Sequence, residues 1–153
     1  MSSPPDLREL VDDDQIKNSD SVFRVIPPRE RDGDELKSSA FQDQSLEVAQ
    51  RFGLAGRCMS VVLRSVWEAS GATIADLLTD WDPGSGLVEI AVANLRRLKT
   101  GADAPSPQGV MRDPRRDAPW HAVVFSLDGR ERGKGARRAL TKCAHWFYDP
   151  RAD

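Results

Sequence analysis

Six cationic side chains, Arg130, Arg132, Lys134, Arg137, Arg138 and Lys142, stand close together near the end of the chain, against one acid, Glu131. Glycines at 129, 133 and 135 punctuate the same stretch. Residue spacing after Ala136 predicts a helix from Ala136 to Tyr148. Ala139, Leu140, Cys143, Ala144, Trp146 and Phe147 fall on one face, and Arg137, Arg138, Lys142 and His145 on the other. The free N–H groups of a first helical turn and the helix dipole both favour negative charge, so Gly133-Lys134-Gly135 is a candidate cradle for phosphate, sulfate or carboxylate. The expected anion- or partner-binding set is therefore Arg130, Arg132, Lys134, Arg137, Arg138, Lys142 and His145. The run G-R-E-R-G-K-G lacks a Ser or Thr after its lysine and has the wrong glycine spacing for a nucleotide-binding P-loop.

Other residue types that support catalysis are sparse. His121 opens an apolar run beside Trp120 and reads as a hydrogen-bonded core histidine. His145 has no carboxylate one helical turn away. Two histidines and the two distant cysteines, Cys58 and Cys143, make no metal-ligand spacing, and the cysteines read as buried free thiols. Ser38-Ser39-Ala40-Phe41 is not a nucleophile elbow. Trp67, Trp81, Trp120 and Trp146 are spread over different elements and read as core rather than as base-stacking platforms.

One enzyme-like order is present. Arg24 on a first strand, Ser38 or Ser39 before an aromatic residue, and a later Glu89 resemble the Arg, Ser, Glu order of mono-ADP-ribosyltransferases. The resemblance implies that these residues would hold an NAD phosphate, brace the site and polarise the ribose. The chain departs from that family by lacking its Ser-Thr-Ser core and by carrying Leu87 two residues before the glutamate.

The elements that must position these groups follow from periodicity and punctuation. Val22 to Ile26 is β-branched and aromatic and is stopped by Pro27 and Pro28, which predicts a strand. Leu36 to Phe41 and Ser45 to Ala49 read as short strand segments. Met59, Val62, Leu63 and Val66 recur at helical spacing within Gly56 to Ala69, with Gly71 as a stop. Thr73 and Asp76 give a capping-box start to a helix with Ile74, Leu77, Leu78 and Trp81 on its apolar face. Leu87 to Leu98 favours helix, with strand over Leu87 to Val92 as the alternative. Residues 100–119, with four prolines, read as a long loop, and Trp120 to Leu127 as a buried strand. Residues 1–20, with Pro4, Pro5 and the run Asp12 to Asp14, read as an acidic tail, mobile or late to dock, with a possible helical turn over Asp6 to Val11.

At 153 residues this predicts one α+β domain over 21–153: a small mixed sheet packed against three to four helices, its first and last strands adjacent, ending in the amphipathic helix. The formal net charge of −2 hides an acidic first third and a basic last third. No run approaches the ~20 apolar residues that span a bilayer, and the N-terminus has no leader pattern, so a cytoplasmic protein is expected. The arginine-rich composition hints at a bacterial, GC-rich coding genome. No cofactor is expected. The expected role is a non-enzymatic interaction or accessory subunit, of the antitoxin, immunity or defence-operon kind, that docks another protein through the basic helix. RNA or DNA binding through the same face is the alternative.

Overall fold

The computed structural model describes residues 6–101 and 103–152, and its centre is an antiparallel six-stranded sheet. β1 (Ser21–Ile26), β4 (Met59–Leu63), β5 (Gly86–Ala91), β6 (Gln108–Arg112), β7 (His121–Ser126) and β8 (His145–Tyr148) take the order β6-β7-β4-β1-β5-β8. A two-stranded ribbon of β2 (Arg31–Asp32) and β3 (Glu35–Leu36) stands apart. All pairings in these sheets are antiparallel, so the sheet is not mixed. β4 lies between β1 and β7, which are therefore not neighbours.

Because side chains alternate across a strand, both sheet faces acquire apolar stripes and both are covered. On one face Val22, Ile26, Val61, Ile90 and Val124 pack under α4 (Val92–Arg96), α5 (Lys134–Cys143) and a 3-10 turn, Ser38–Phe41. On the other, Phe23, Val62 and Leu87 meet α2 (Arg64–Ser70) and α3 (Ile74–Leu78). Met111, Val123 and Phe125 extend that second face toward Ala49 of α1 (Leu46–Arg51).

The expected strand over Val22 to Ile26, the strand after Trp120 and the capped helix at Thr73 are all present. The Thr73 side chain accepts from the Asp76 N–H, and the Asp76 carboxylate accepts from the Thr73 N–H. Several other expectations are corrected. Gly56 to Ala69 is not one helix but β4 running directly into α2, and Leu87 to Leu98 is β5 running into α4. Ser45 to Ala49 is helical, capped by Ser45. The 100–119 segment contains β6 and is no structureless loop. The helix expected over Ala136 to Tyr148 ends at Cys143, after which the chain turns into β8, so the last regular element is a strand. There are five short helices rather than three to four among the described residues.

Residues 6–20 lie along the domain. They form no helical turn at Asp6 to Val11; Arg8 instead bridges to Leu54, and its guanidinium pairs with Asp113. Asp13 N–H donates to the Val110 carbonyl, the Val110 N–H donates to Asp12, and Ile16 is 3% exposed. This segment thus occupies hydrogen-bonding groups of the edge strand β6, which would otherwise be open to another chain. The part of the expected tail over 1–5 lies outside the described residues.

Candidate anion-binding groove

The seven residues of the expected basic set do not form one face. Arg132 is wholly enclosed: its Nη1 donates to Asp43 at 2.6 Å and to the Phe41 carbonyl, its Nε to Gln108, and its Nη2 to the Val124 carbonyl. Burial pulls its pKa down while Asp43 opposes that shift. Arg132 therefore ties the turn before α5 to the sheet and is no ligand contact. Arg130 and Lys134 are exposed at that turn, and Arg137 is half-buried with its Nε shut away from any partner.

Arg138 and Lys142, one turn apart on α5, do converge with other cations. They line a groove of about 560 Å3 against the segment that follows α4, which contributes Arg97 and Lys99. None of these four side chains forms a salt bridge among the described residues, and Asp103 is the one acid lining the groove. Asn94, Thr100 and Gly135 complete its polar wall. The helix bond from Arg137 N–H to the Gly133 carbonyl fixes the first turn of α5, and Leu140, fully buried, holds the helix to the sheet. In the sequence the second wall of the groove is marked by Arg96-Arg97-Leu98-Lys99. Its apolar member, Leu98, turns inward and leaves Arg97 and Lys99 on the groove.

His145 lies elsewhere, in a second cleft of about 650 Å3 at one end of the sheet. Register places it opposite Glu89 on β5, so a carboxylate does stand beside it. That neighbour was invisible while 145 was read as helix. Burial raises the Glu89 pKa, but hydrogen bonds from Ser21 and Arg64, with the charges of Arg64 and His145, more than offset it and leave the carboxyl below its ordinary value. Arg64 also donates to Glu68 and lies 5.0 Å from the Phe147 ring centroid. The cluster is closed on itself: the anion is already matched by its own cation.

Arg24, Ser39 and Glu89 are not brought together. Arg24 shares its sheet face with Val22 and Ile26, Glu89 shares the opposite face with Leu87, and Ser39 donates to Glu30. His121 is held as a neutral ring. Its Nδ1 is 3.0 Å from the Asp113 carboxylate, and burial together with nearby Arg115 pushes its pKa down against the pull of Asp113. Cys58 is buried and its thiol is pushed up to about 11, chiefly by burial. Cys143 is half-buried, and both thiols are free.

No group of three or more metal-ligating side chains occurs among the described residues, and no helix there is long and apolar enough to cross a membrane. The chain matches no protein-family model, no curated protein and no solved structure.

Proposed function

We propose that the protein is a non-enzymatic docking module whose groove between α5 and residues 97–101 and 103 receives an acidic segment of a partner protein. The observation that carries this reading is the convergence of Arg97, Lys99, Arg138 and Lys142 on one groove with no carboxylate paired to any of them among the described residues. Four cations held on rigid or short elements repel one another, and an incoming acidic chain relieves that repulsion. The scale of the groove favours a short peptide over a nucleic acid, which requires a longer basic track, and the chain as a whole is net negative.

The test is fluorescence anisotropy with a labelled ten-residue Glu/Asp-rich peptide and, in parallel, labelled oligo(U), at low and moderate salt. The reading expects saturable peptide binding that the pair Arg138→Glu and Lys142→Glu removes without changing the melting temperature. Both side chains are exposed, so the fold tolerates the change. Equal peptide binding by the charge-reversed protein contradicts the reading, and preference for oligo(U) replaces it with nucleic-acid binding.

A further inference from the structure

The turn of the β2–β3 ribbon presents three carboxylates within four residues, Asp32, Asp34 and Glu35. Asp32 and Glu35 stand directly opposite each other in the strand pairing, and Gly33-Asp34 forms the two-residue turn between them, with Gly33 at a φ of +61°, as such a turn requires at its first position. Alternation sends Arg31 and Leu36 inward, where Leu36 packs on the core and the Arg31 side chain is wholly enclosed. Asp32 and Glu35 therefore point outward, and both are exposed. Like charges directly across a strand pair repel. Neither carboxylate accepts a hydrogen bond or forms a salt bridge among the described residues. Asp34, whose side chain is 95% exposed, has only a loose contact of 3.6 Å with Arg31.

This acidic tip is held in place. Arg31 Nε donates to the Gly33 carbonyl at 2.7 Å, and its two Nη atoms donate to Asp149 at 2.7 and 3.0 Å. The same guanidinium lies 4.0 Å from the Trp146 ring centroid, and Trp146 Nε1 donates to the Asp34 carbonyl at 3.2 Å. One enclosed arginine and one indole thus fix the turn, so little ordering entropy is left to lose when it meets a partner. These bonds keep the ribbon on one flank of α5, where Asp34 and Glu35 share a cleft with Thr141 and Ala144. Arg138 and Lys142 line the groove on a different flank, with Arg97 and Lys99. None of those four cations pairs with the ribbon acids among the described residues, so within one copy the two charge sets stay apart.

We propose that the acidic partner of the groove is a second copy of this chain: the 32–35 turn of each copy seats in the groove of Arg97, Lys99, Arg138 and Lys142 of the other, giving a salt-sensitive two-fold dimer. This rests on the docking reading of that groove and names its partner. Acid donor and cationic acceptor flank the same helix, so a two-fold axis beside α5 sets each turn against the opposite groove and closes the assembly at two. Repulsion within the turn and repulsion within the groove are relieved in the same contact. A four-residue turn matches the short-peptide scale of the groove. The other acidic run, residues 12–14, is engaged in the fold, with Asp12 held by Arg96 and by the Val110 N–H. Exposed ion pairs are individually weak and screened by salt, so the dimer is a transient one.

Sedimentation velocity of the full chain from ~20 µM to ~1 mM spans the affinities of weak contacts. The proposal expects monomer at the low end and a growing dimer fraction at the high end, with Kd rising at least ~10-fold between ~20 mM and ~300 mM salt as the charges are screened. Asp34→Lys with Glu35→Lys, and separately Arg138→Glu with Lys142→Glu, are expected to give monomers of unchanged melting temperature. The first pair of changes also turns the repulsion across from Asp32 into an attraction, so the ribbon keeps its fold. Mixed together, the two variants are expected to form a one-to-one heterodimer, because the acidic turn of one meets the intact groove of the other; a folding defect would not be rescued in this way. The inference is overturned if the wild type stays monomeric to ~1 mM at low salt, if either variant alone still dimerises, if the mixture does not associate, or if association runs on beyond two. A wild type that stays monomeric yet binds the acidic peptide at the groove overturns the second copy as partner and leaves the docking reading standing, whereas failure of both removes both.

Discussion

Asp113 is the acceptor on which the protonation of His121 turns. Its carboxylate is held by Arg8 and Arg115 as well as by the ring Nδ1, so its charge is already compensated before the imidazole takes a proton. Burial, and then the charge of Arg115, outweigh the pull of Asp113 and keep the His121 pKa lowered. For a group with a depressed folded pKa, stability is present above the unfolded value and is lost as pH falls through the ordinary histidine range. Urea unfolding of the wild type is expected to show this loss, and His121→Gln is expected to flatten it. A slope unchanged in the variant would assign the effect to other groups. Arg132 and Asp43 give a larger effect. Each is enclosed, so Arg132→Met leaves a buried carboxylate unmatched and is expected to cost about 3–5 kcal/mol. A double replacement by apolar residues should cost less than the sum of the single changes, because it abolishes the orphaned charge. Nothing near Arg132 in the sequence distinguishes it from exposed Arg130. Its partner is Asp43, and only the fold brings the two together.

Two strands illustrate why periodicity misled. β4 passes into α2 and β5 into α4 with no glycine, proline or polar turn between. Each strand is apolar on both faces because helices cover both, and such a run matches helical spacing as readily as strand alternation. Met59, Val62, Leu63 and Val66 thus formed an apparent stripe although the chain changes conformation after Leu63. Clear punctuation explains the correct readings: Pro27-Pro28 closed β1, and the Thr73–Asp76 pair opened α3. The β5–β8 edge makes a sharp test of this topology. A Cβ on Gly86 would stand 2.6 Å from the Tyr148 carbonyl oxygen and 2.9 Å from the Trp146 ring. Backbone cannot yield cheaply there, so Gly86→Ala is expected to lower stability by about 1–3 kcal/mol, read by thermal or chemical denaturation. A neutral result would contradict the close packing of β8 on β5.

Composition suggested that the acidic N-terminal segment would order poorly, yet its contacts are dispersed rather than missing. Arg8 meets Leu54 and Asp113, Asp12 and Asp13 both meet Val110 of β6, Ile16 enters the core, and Arg96 ties Asp12 to α4. Low hydrophobicity was a sound reason to doubt a separate core. It carried no information about hydrogen bonding to the edge of β6. Ile16→Ala is expected to cost about 2–4 kcal/mol, the range for emptying a buried aliphatic site, with faster exchange of the Asp13 amide hydrogen. Unchanged stability would place this segment outside the cooperative unit. The same dispersal affected the basic set: the fold withdrew Arg132, sent His145 to another cleft, and recruited Arg97 and Lys99 to Arg138 and Lys142. In the proposed docking reading the charge is presented across two elements, and the most direct measurement follows backbone amides by NMR while the acidic peptide is added. The account predicts saturable shifts concentrated at residues 97–101 and 135–142, lost on reversing Arg138 and Lys142; shifts centred on any other surface, or none at saturating peptide, would contradict it.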